Sequence, residues 1–478
     1  MFKNITEVQT YIQENDIRFI DLKYTDLFGG LHHITIPSHR FDETFMRNGV
    51  GFDSSSTPGF KNLESGDMAL IPDLESGFVE PFFKDPTLSF FVDIVEADTK
   101  KRYHRDPRYI AERAENYLKE TGIATECLWG PEFEYYIFDG VEFHNSAKDS
   151  CLQINSGQYP RLNYESEGQK LGYKLSHHDG YHAAPPFDTL NEMRNETVKL
   201  FEACNIPCKY HHHEVGGSGQ VEIEIIFGNT KKMGDAVILG KYIIRNVARN
   251  YGKVATFMPK PIFGEAGSGM HFHQHLFKEG QPLFYDEKGY GGLSDLARSY
   301  VAGILKNSPA LVALTNPTTN SYKRLVPGYE APVNLFFSLA NRSSAIRIPK
   351  YATQPEKKRI EFRPPDAACN PYLAMAGMLL AGIEGIQNKL NITKEGFGPF
   401  DMNLFDDKYA DIREKIKSIP DSLEKALVNL AENHEFLFQN DIFTKDIIDI
   451  WINEKINKEI LPGKARPTIQ EFDLYFNV

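Results

Sequence analysis

The chain is poor in the features of secreted, membrane-spanning and nucleic-acid-binding proteins. Its 478 residues include only five cysteines, an odd and scattered number that argues against a disulfide framework and favours a reducing compartment. Cys204 and Cys208 lie four residues apart, but no second pair completes a zinc site. A formal net charge of −12 argues against nucleic acid or an anionic membrane as the main partner.

Long apolar runs are also missing. The most apolar helical stretch, PYLAMAGMLLAGIEGI at 371–386, is interrupted by Glu384 and falls short of the roughly 18–20 residues of a membrane span. We therefore expect a buried helix there and a soluble, cytoplasmic protein. The chain has no Walker phosphate loop, so nucleotide binding cannot be inferred from that motif.

Turn and helix-start signals formed by Gly, Pro and Asp divide the chain into two parts. Residues 17–36 predict two strands joined at Gly29-Gly30, and further strands are expected near 68–71 and 88–95. A helix then begins with Asp106 as N-cap and Pro107 at its first position. We predict a mostly β N-terminal domain over 1–103 and a larger domain over 104–478.

The second part predicts strands that alternate with long helices, such as 189–204 and 231–250. Residues 140–180 have little periodicity and are expected to form surface loops. Residues 407–460 are charged and helix-like, and a C-terminal tail follows from about 460 to 478.

The segment GPEFEYYIFD at 130–139 reads as a strand with an unusual face. Because side chains alternate along a strand, Glu132 and Glu134 point the same way and repel each other unless positive charge lies between them. Other segments share this pattern of charged side chains on one strand face or at a strand end: Glu214; Glu222 and Glu224; His271, His273 and His275; Arg342 and Arg347; and Arg359, Glu361 and Arg363.

A single such strand is most often a solvent-exposed face, and a lone histidine is more often structural than a ligand. Several such strands with strongly apolar opposite faces predict instead a charged cavity. Carboxylates with one or two histidines favour hard divalent ions such as Mg²⁺ or Mn²⁺, and nearby arginines favour phosphate or carboxylate ligands. The residues alone thus indicate a metal-dependent enzyme acting on a phosphorylated or carboxylated substrate.

The motifs at these residues have a specific resemblance. In chain order they are FDSSS, GPEFEYYIFD, GYHAAPP, HHHEVGGSGQVEIE, KVATFMPKP, GSGMHFH, KRLVPGYEAPVN, NRSSAIRIP and RIEFRPPDAACNPYLA. Over nearly its whole length the chain resembles bacterial-type (type I) glutamine synthetases. The resemblance implies an α+β fold, with a small β-grasp-like N-terminal domain and a large catalytic domain whose curved, mainly antiparallel sheet is backed by helices.

The resemblance also implies two metal sites with different ligands. The first set is Glu134, Glu214 and Glu222, and the second is Glu132, His271 and Glu361. Two to three Mg²⁺ or Mn²⁺ ions per active site would offset the negative charge of five carboxylates. The glutamates of the opening strand would thus serve two different ions.

The implied reaction joins ammonia to L-glutamate at the expense of ATP, through γ-glutamyl phosphate, and releases glutamine, ADP and phosphate. The residue roles that the resemblance implies fall into four groups: Arg342, Arg347 and Arg363 at the phosphates; His273, Arg347 and Arg359 at the nucleotide; Gly267, Arg324 and Arg363 at the substrate; and Asp53, Ser56, Tyr181 and Glu214 at ammonium. Asp53 would act as base toward ammonium. Glu330 would close a flap that shields the acyl phosphate from water.

Assembly is part of the same expectation. The Asp53 loop would reach the site from a neighbouring subunit, within a homo-oligomer expected to be a dodecamer of two stacked six-membered rings. The closing segment PTIQEFDLYFNV resembles the tail that joins the two rings.

Some positions depart from the family pattern. Ala266, His275 and Lys209 replace residues that are common on the substrate or nucleotide side, so nucleotide affinity is expected to differ without a change of reaction. Phe405 stands where some members carry a tyrosine modified by adenylylation, and a phenyl ring has no hydroxyl to modify. We predict no adenylylation at residue 405.

Three alternatives stay open. One is a γ-glutamyl-amine ligase that uses a polyamine or ethanolamine, against which the complete set Asp53, Ser56 and Tyr181 argues. A second is a catalytically silent homologue, which would be expected to lose metal ligands. A third, a simple metal- or polyanion-binding protein, has no need of Glu330 or of the arginines.

Overall fold

The structure, a computed structural model of the chain, describes residues 2–61, 66–158, 173–327, 331–402 and 407–478. The first sheet contains strands of the N-terminal part: β1 (Phe19–Thr25), β2 (Leu31–Pro37), β3 (Val50–Asp53), β4 (Asp67–Pro72), β5 (Phe78–Val79) and β6 (Thr87–Glu96). Their order is β2-β1-β6-β4-β3, with β5 added on β6; β1 and β6 are parallel and the other pairs antiparallel. The predicted strands and the turn at Gly29-Gly30 are confirmed.

A second, larger sheet has nine strands. They are β7 (Glu126–Phe138), β10 (Cys208–His213), β11 (Gln220–Ile225), β12 (Val254–Thr256), β13 (Phe272–Lys278), β14 (Gln281–Pro282), β15 (Asn334–Leu339), β16 (Ser344–Ile348) and β17 (Ile360–Phe362). The order is β10-β11-β7-β13-β17-β16-β15, with β12 on β7 and β14 on β13. Only the pair β15–β16 is parallel within the described part of this sheet, so the predicted mainly antiparallel sheet is confirmed.

The α-helices are α1 (Ile5–Glu14), α2 (Glu43–Asn48), α3 (Pro107–Glu120), α4 (Asn191–Ala203), α5 (Thr230–Asn250), α6 (Asp295–Thr315), α7 (Ser321–Arg324), α8 (Pro371–Gln387), α9 (Ala410–Arg413), α10 (Leu423–Glu432), α11 (Lys445–Lys455), α12 (Leu461–Ala465) and α13 (Ile469–Tyr475). Helix α3 begins as predicted: the Asp106 side chain accepts from the Arg108 N–H, and Pro107 occupies the first turn. Helices α3 and α5 pack on β7, which carries Glu132 and Glu134, and α4 packs on β10, which ends just before Glu214.

The apolar segment predicted as a buried helix is α8. It packs against α6 so closely that a Cβ on Gly303 would lie 2.1 Å from the Ala381 carbonyl oxygen, so only glycine fits there. Fourteen of its residues are buried, in agreement with the prediction. None of the helices within the described ranges combines the length and the apolarity of a membrane span.

One prediction about the chain path is wrong in part. Residues 140–155, expected as surface loops, form an antiparallel hairpin of β8 (Gly140–Asn145) and β9 (Ser150–Asn155). Val141 and Phe143 alternate with polar residues along β8 and pair with Ile154 and Leu152 of β9, so an alternating strand signal was present in the sequence. Phe143 and Leu152 on this face are nevertheless exposed. Residues 159–172 lie outside the described part of the chain.

Candidate active site

A cavity of about 770 Å³ lies on the polar face of the second sheet. Strands β7, β10, β11, β16 and β17 supply much of its wall, and the segments around Tyr181, Gly267 and Ala331 also contribute. Its charged lining residues are Glu132, Glu134, His178, His212, Glu214, Glu222, Glu224, His271, Arg324, Arg342, Arg347, Glu361 and Arg363. Most of the charged side chains predicted to share strand faces therefore line one cavity, although His273, His275 and Arg359 do not.

The register of β11 on β7 places carboxylates directly opposite one another. Glu222 is paired with Glu134, and Glu224 with Glu132. Like charges at such positions destabilise a sheet, and all four side chains are buried. Two successive rows of this kind cost folding free energy unless cations fill the space between them.

Glu132 is held by two imidazoles. His271 Nδ1 lies 2.8 Å from its Oε2, and His273 Nε2 lies 2.6 Å from its Oε1. Burial acts to raise the pKa of Glu132, but the two histidines, His273 first, lower it well below the ordinary value. This carboxylate is therefore charged throughout the neutral range.

Glu361 is held by two arginines. Arg363 donates to its Oε1 at 2.5 Å, and Arg347 pairs with its Oε2. Burial opposes ionisation, yet Arg363 and His273 lower the pKa of Glu361 to about 2. The arginines thus stand beside a fixed carboxylate, and they also line the cavity from which a phosphate would approach.

On the other side of the cavity, the surroundings raise the pKa values of the carboxylates instead of lowering them. Burial and the neighbouring Glu134 raise the pKa of Glu214 to about 7. Burial and the carboxylates of Glu132 and Glu134 raise the pKa of Glu222 well above the ordinary value. Negative charge is in excess here, which is the condition that a divalent cation relieves.

Possible ligand atoms are close enough to bind such ions. Four groups of three residues have their ligand atoms within 4.8 Å of one another: Glu132, Glu134 and His271; Glu132, His273 and Glu361; His212, Glu214 and Glu222; and Glu132, Glu222 and Glu224. Each group contains at least two carboxylates, and three of the four groups add one imidazole, so the donor set fits hard divalent ions rather than zinc.

Other predicted residues reach the same cavity. Tyr181 and Gly267 line it, as does Arg324, whose guanidinium donates to the carbonyls of Arg363 and Pro364 at 3.1 and 2.6 Å. A Cβ on Gly267 would lie 2.6 Å from Arg324 Cγ, so a side chain there would displace the arginine. His273 and Arg359 are buried behind the carboxylates and do not line the cavity.

Asp53 and Ser56 lie elsewhere in the chain. They flank a short turn after β3, in the first sheet, and neither lines the cavity of its own chain. Asp53 is exposed, and hydrogen bonds from Ser55 lower its pKa, so it is an ionised carboxylate at the surface. Glu330 and Phe405 fall outside the described residues.

Several residues in and around the site have no role predicted from the sequence. Glu224 lines the cavity, bonded by Tyr210 and Lys209, although its place on the Glu222 face was a usable signal. His212 pairs in register with Glu222 across β10 and β11. His275 lies between the rings of Phe227 and Phe277 with neither ring nitrogen bonded, and burial lowers its pKa to about 4.

Comparison with known proteins agrees with this geometry. The family profile described as "Glutamine synthetase, catalytic domain" matches residues 104–475, and the one described as "Glutamine synthetase, beta-Grasp domain" matches residues 16–97. The chain is 45% identical to a glutamine synthetase of Frankia alni over 479 residues, which cover 100% of both chains. It is also 41% identical over 479 residues, again 100% of both, to a 3-hydroxylaminophenol mutase of Cupriavidus pinatubonensis.

A solved structure gives the same result for the fold. The Plasmodium falciparum glutamine synthetase superposes with a TM-score of 0.90 at 27% identity, covering 99% of each chain. The predicted α+β architecture, with its β-grasp and catalytic domains, is confirmed. The prediction of a ligase, a glutamine synthetase, is confirmed by the same relatives. With two profiles spanning most of its length and full-length relatives at 45% identity, the chain belongs to the glutamine synthetase family.

Proposed function

We propose that the carboxylate cavity binds ATP, L-glutamate and two or three divalent cations, Mg²⁺ or Mn²⁺, and joins ammonia to the glutamate side chain. The observation that carries this proposal is the pair of opposed carboxylate rows, Glu222 with Glu134 and Glu224 with Glu132, in a cavity whose other wall carries arginines. Such a division of charge suits cations on one side and phosphate oxygens on the other.

Two ligand sets are proposed for the cations. Glu134, Glu214 and Glu222 form the first, and Glu132, His271 and Glu361 form the second. Three groups of nearby donor atoms draw their members largely from these sets, which supports the assignment. When bound, the cations supply the positive charge that makes transfer of a phosphoryl group to a carboxylate feasible.

The remaining steps are assigned to residues of the chain. Arg324, with Arg363, holds a substrate carboxylate, while Gly267 leaves room beside Arg324. The glutamate side-chain carboxylate attacks the γ-phosphorus of ATP, the bond to ADP breaks, and γ-glutamyl phosphate forms. Arg342, Arg347 and Arg363 stabilise the charge on the moving phosphoryl group. His273 and Arg359 fix the nucleotide side of the site, and Glu330 closes it against water.

Ammonia enters through a second group of residues. We assign ammonium binding to Tyr181 and Glu214 of one subunit with Asp53 and Ser56 of its neighbour. Asp53 removes a proton from ammonium, ammonia attacks the acyl carbon, and phosphate leaves. The exposed position of Asp53, away from its own cavity, supports this shared site.

The proposal extends to assembly and location. A homo-oligomer is required for a shared site, and we propose a dodecamer of two six-membered rings, in the cytoplasm, without nucleic-acid or membrane partners. We propose domain limits of 1–103 and 104–478, with the C-terminal helical tail from about 460. The tail carries the exposed apolar side chains Phe472, Leu474 and Phe476, as a segment that packs against another subunit would.

The test is phosphate release from ATP and Mg²⁺ by the purified oligomer with glutamate, comparing ammonium with ethanolamine and a set of polyamines. Ammonium-dependent turnover that yields glutamine supports the proposal. Turnover with an amine but not with ammonium would assign the chain to the γ-glutamyl-amine ligases. No turnover with any of them would contradict the proposed reaction.

A further inference from the structure

A second cavity, of about 610 Å³, has the opposite electrostatic character. It lies between the β1–β2 turn, helix α5 and the segment that follows β12. Its charged lining residues are Lys241 and Arg245, and no described lining residue is an aspartate or glutamate. A cavity with two cations and no acid attracts anions.

The lysine is buried and its charge is unpaired. Lys241 is only 7% exposed, its Nζ donates to the Ala367 carbonyl at 2.8 Å, and no described carboxylate lies within 4.0 Å of it. Burial lowers its pKa to about 8, and Arg245 adds to this effect. Burying an ammonium group with a single carbonyl acceptor costs folding free energy unless another partner accepts its remaining hydrogen bonds.

The nearby acid is already engaged. Asp366 accepts from Asn316 Nδ2 at 2.9 Å and from the Ala368 N–H at 3.0 Å. Burial raises the pKa of Asp366, so it is a poor counter-ion for Lys241. The positive charge of the cavity is therefore left to a ligand.

The arginine faces the same space from one turn further along α5. Residues four apart on a helix are neighbours, so these two like charges repel each other. The Arg245 guanidinium lies 5.2 Å from the centre of the Phe257 ring and makes no ion pair with a described residue. Its planar fork suits an oxyanion with two oxygens.

This cavity is separate from the carboxylate cavity. The two have no lining residue in common. Pro259 lines the second cavity, and its carbonyl accepts the Ser268 N–H at 2.8 Å, next to Gly267 of the first cavity. The backbone around Pro259 and Ser268 therefore forms a wall between the two.

We propose that the second cavity binds a small oxyanion, a phosphate or carboxylate group, between the Lys241 ammonium and the Arg245 guanidinium. The site uses none of the residues assigned to catalysis, so it stands independently of the proposed function. A bound anion would neutralise the like charges on α5 and complete the hydrogen bonds of Lys241.

The experiment titrates the assembled protein, freed of metal by passage over a chelating resin, with inorganic phosphate and in parallel with succinate, by calorimetry. An anion held by the arginines of the carboxylate cavity would keep its affinity in variants of Lys241 and Arg245, so loss of affinity in those variants reports the second cavity. We expect one site per chain, weakened about tenfold or more in Lys241→Met and in Arg245→Gln. Lys232→Met, on the exposed part of α5, is the matched control and should bind as the wild type does.

The outcomes separate cleanly. Binding of phosphate alone, succinate alone or both supports the site and defines its ligand class. Absence of binding in the wild type would overturn the proposal, and it would be explained by a neighbouring subunit's acid filling the cavity. Unchanged affinity in both variants would also overturn it. Arg245→Gln is an exposed change, so it tests the site even if Lys241→Met fails to assemble.

Discussion

Nε2 of His273 lies 2.6 Å from Oε1 of Glu132, within hydrogen-bond distance of the carboxylate. Arg359 Nε donates to His273 Nδ1 at 3.3 Å, so the ring proton resides on Nε2 and is donated to the carboxylate. Arg359 therefore orients a proposed metal ligand, Glu132, without touching it. Such outer contacts commonly tune metal sites.

The first prediction concerns the hydrogen bonds that link Arg359 through His273 to Glu132. Arg359→Met should weaken the binding of Mn²⁺ about 10- to 100-fold, because His273 loses the donor that fixes its tautomer. Arg359→Lys, which retains a donor, should recover part of the affinity. Calorimetric titration with Mn²⁺ in the absence of ATP measures the effect apart from any role at the nucleotide. Equal Mn²⁺ affinity in all three proteins would contradict the claim that Arg359 orients Glu132 through His273.

The second prediction separates stability from activity at the opposed carboxylates. Glu222→Gln should raise the free energy of unfolding of the metal-free protein by up to about 1 kcal/mol, because it removes repulsion with Glu134. The same change should lower turnover at least about 100-fold, because a proposed metal ligand is lost. Urea unfolding in EDTA and ammonium-dependent phosphate release measure the two effects.

Glu126→Gln is the matched control for that change. Glu126 lies on the same strand, β7, but is exposed and outside the cavity. It should leave both quantities unchanged. A loss of stability in Glu222→Gln without metal would show that the carboxylate rows do not repel as their register implies.

The third prediction is a pH dependence. The folded pKa of Glu214 is raised to about 7, above the ordinary 4.5, so folding favours its protonated form. Ionised Glu214 therefore lowers the free energy of unfolding. This loss is complete above pH 7 and disappears as pH falls from about 7 to 4.5. The melting temperature of the metal-free protein should therefore rise as pH falls from about 7 to 4.5.

That rise should be smaller in Glu214→Gln, which has no carboxyl to titrate. Saturating Mg²⁺ should remove it, because cations favour the ionised form, and metal should stabilise the protein by about 2.7 kcal/mol at 100 times its dissociation constant. Thermal melts at several pH values, with and without Mg²⁺, make the comparison. An identical pH profile in the variant would contradict the assignment to Glu214.

The fourth prediction tests the shared site. Asp53→Asn and Glu222→Gln should each be inactive as separate oligomers. Co-assembled in equal amounts, they should regain about a quarter of wild-type activity, since a quarter of the sites combine an intact cavity with an intact neighbouring loop. Mixing Glu134→Gln with Glu222→Gln is the control, because both changes lie in one cavity and no site is restored.

Alternation along strands was sufficient to predict one face of the site. Because side chains of a strand point up and down in turn, Glu132 with Glu134 and Glu361 with Arg363 could be assigned to common faces from the sequence. The start of α3 at Asp106-Pro107 and the buried helix predicted over 371–386 followed equally from local signals. The family motifs then supplied the fold and the reaction class.

Tertiary structure decided which side chains of different elements lie opposite one another. The register that pairs Glu224 with Glu132, and the tautomer that Arg359 imposes on His273, depend on residues about 90 positions apart, which a local pattern does not encode. The same holds for Lys241, whose apolar, helical context reads as ordinary core until the fold leaves its ammonium without a carboxylate. Sequence determined which side chains share an element; burial and long-range packing determined which charges are balanced and which need a ligand.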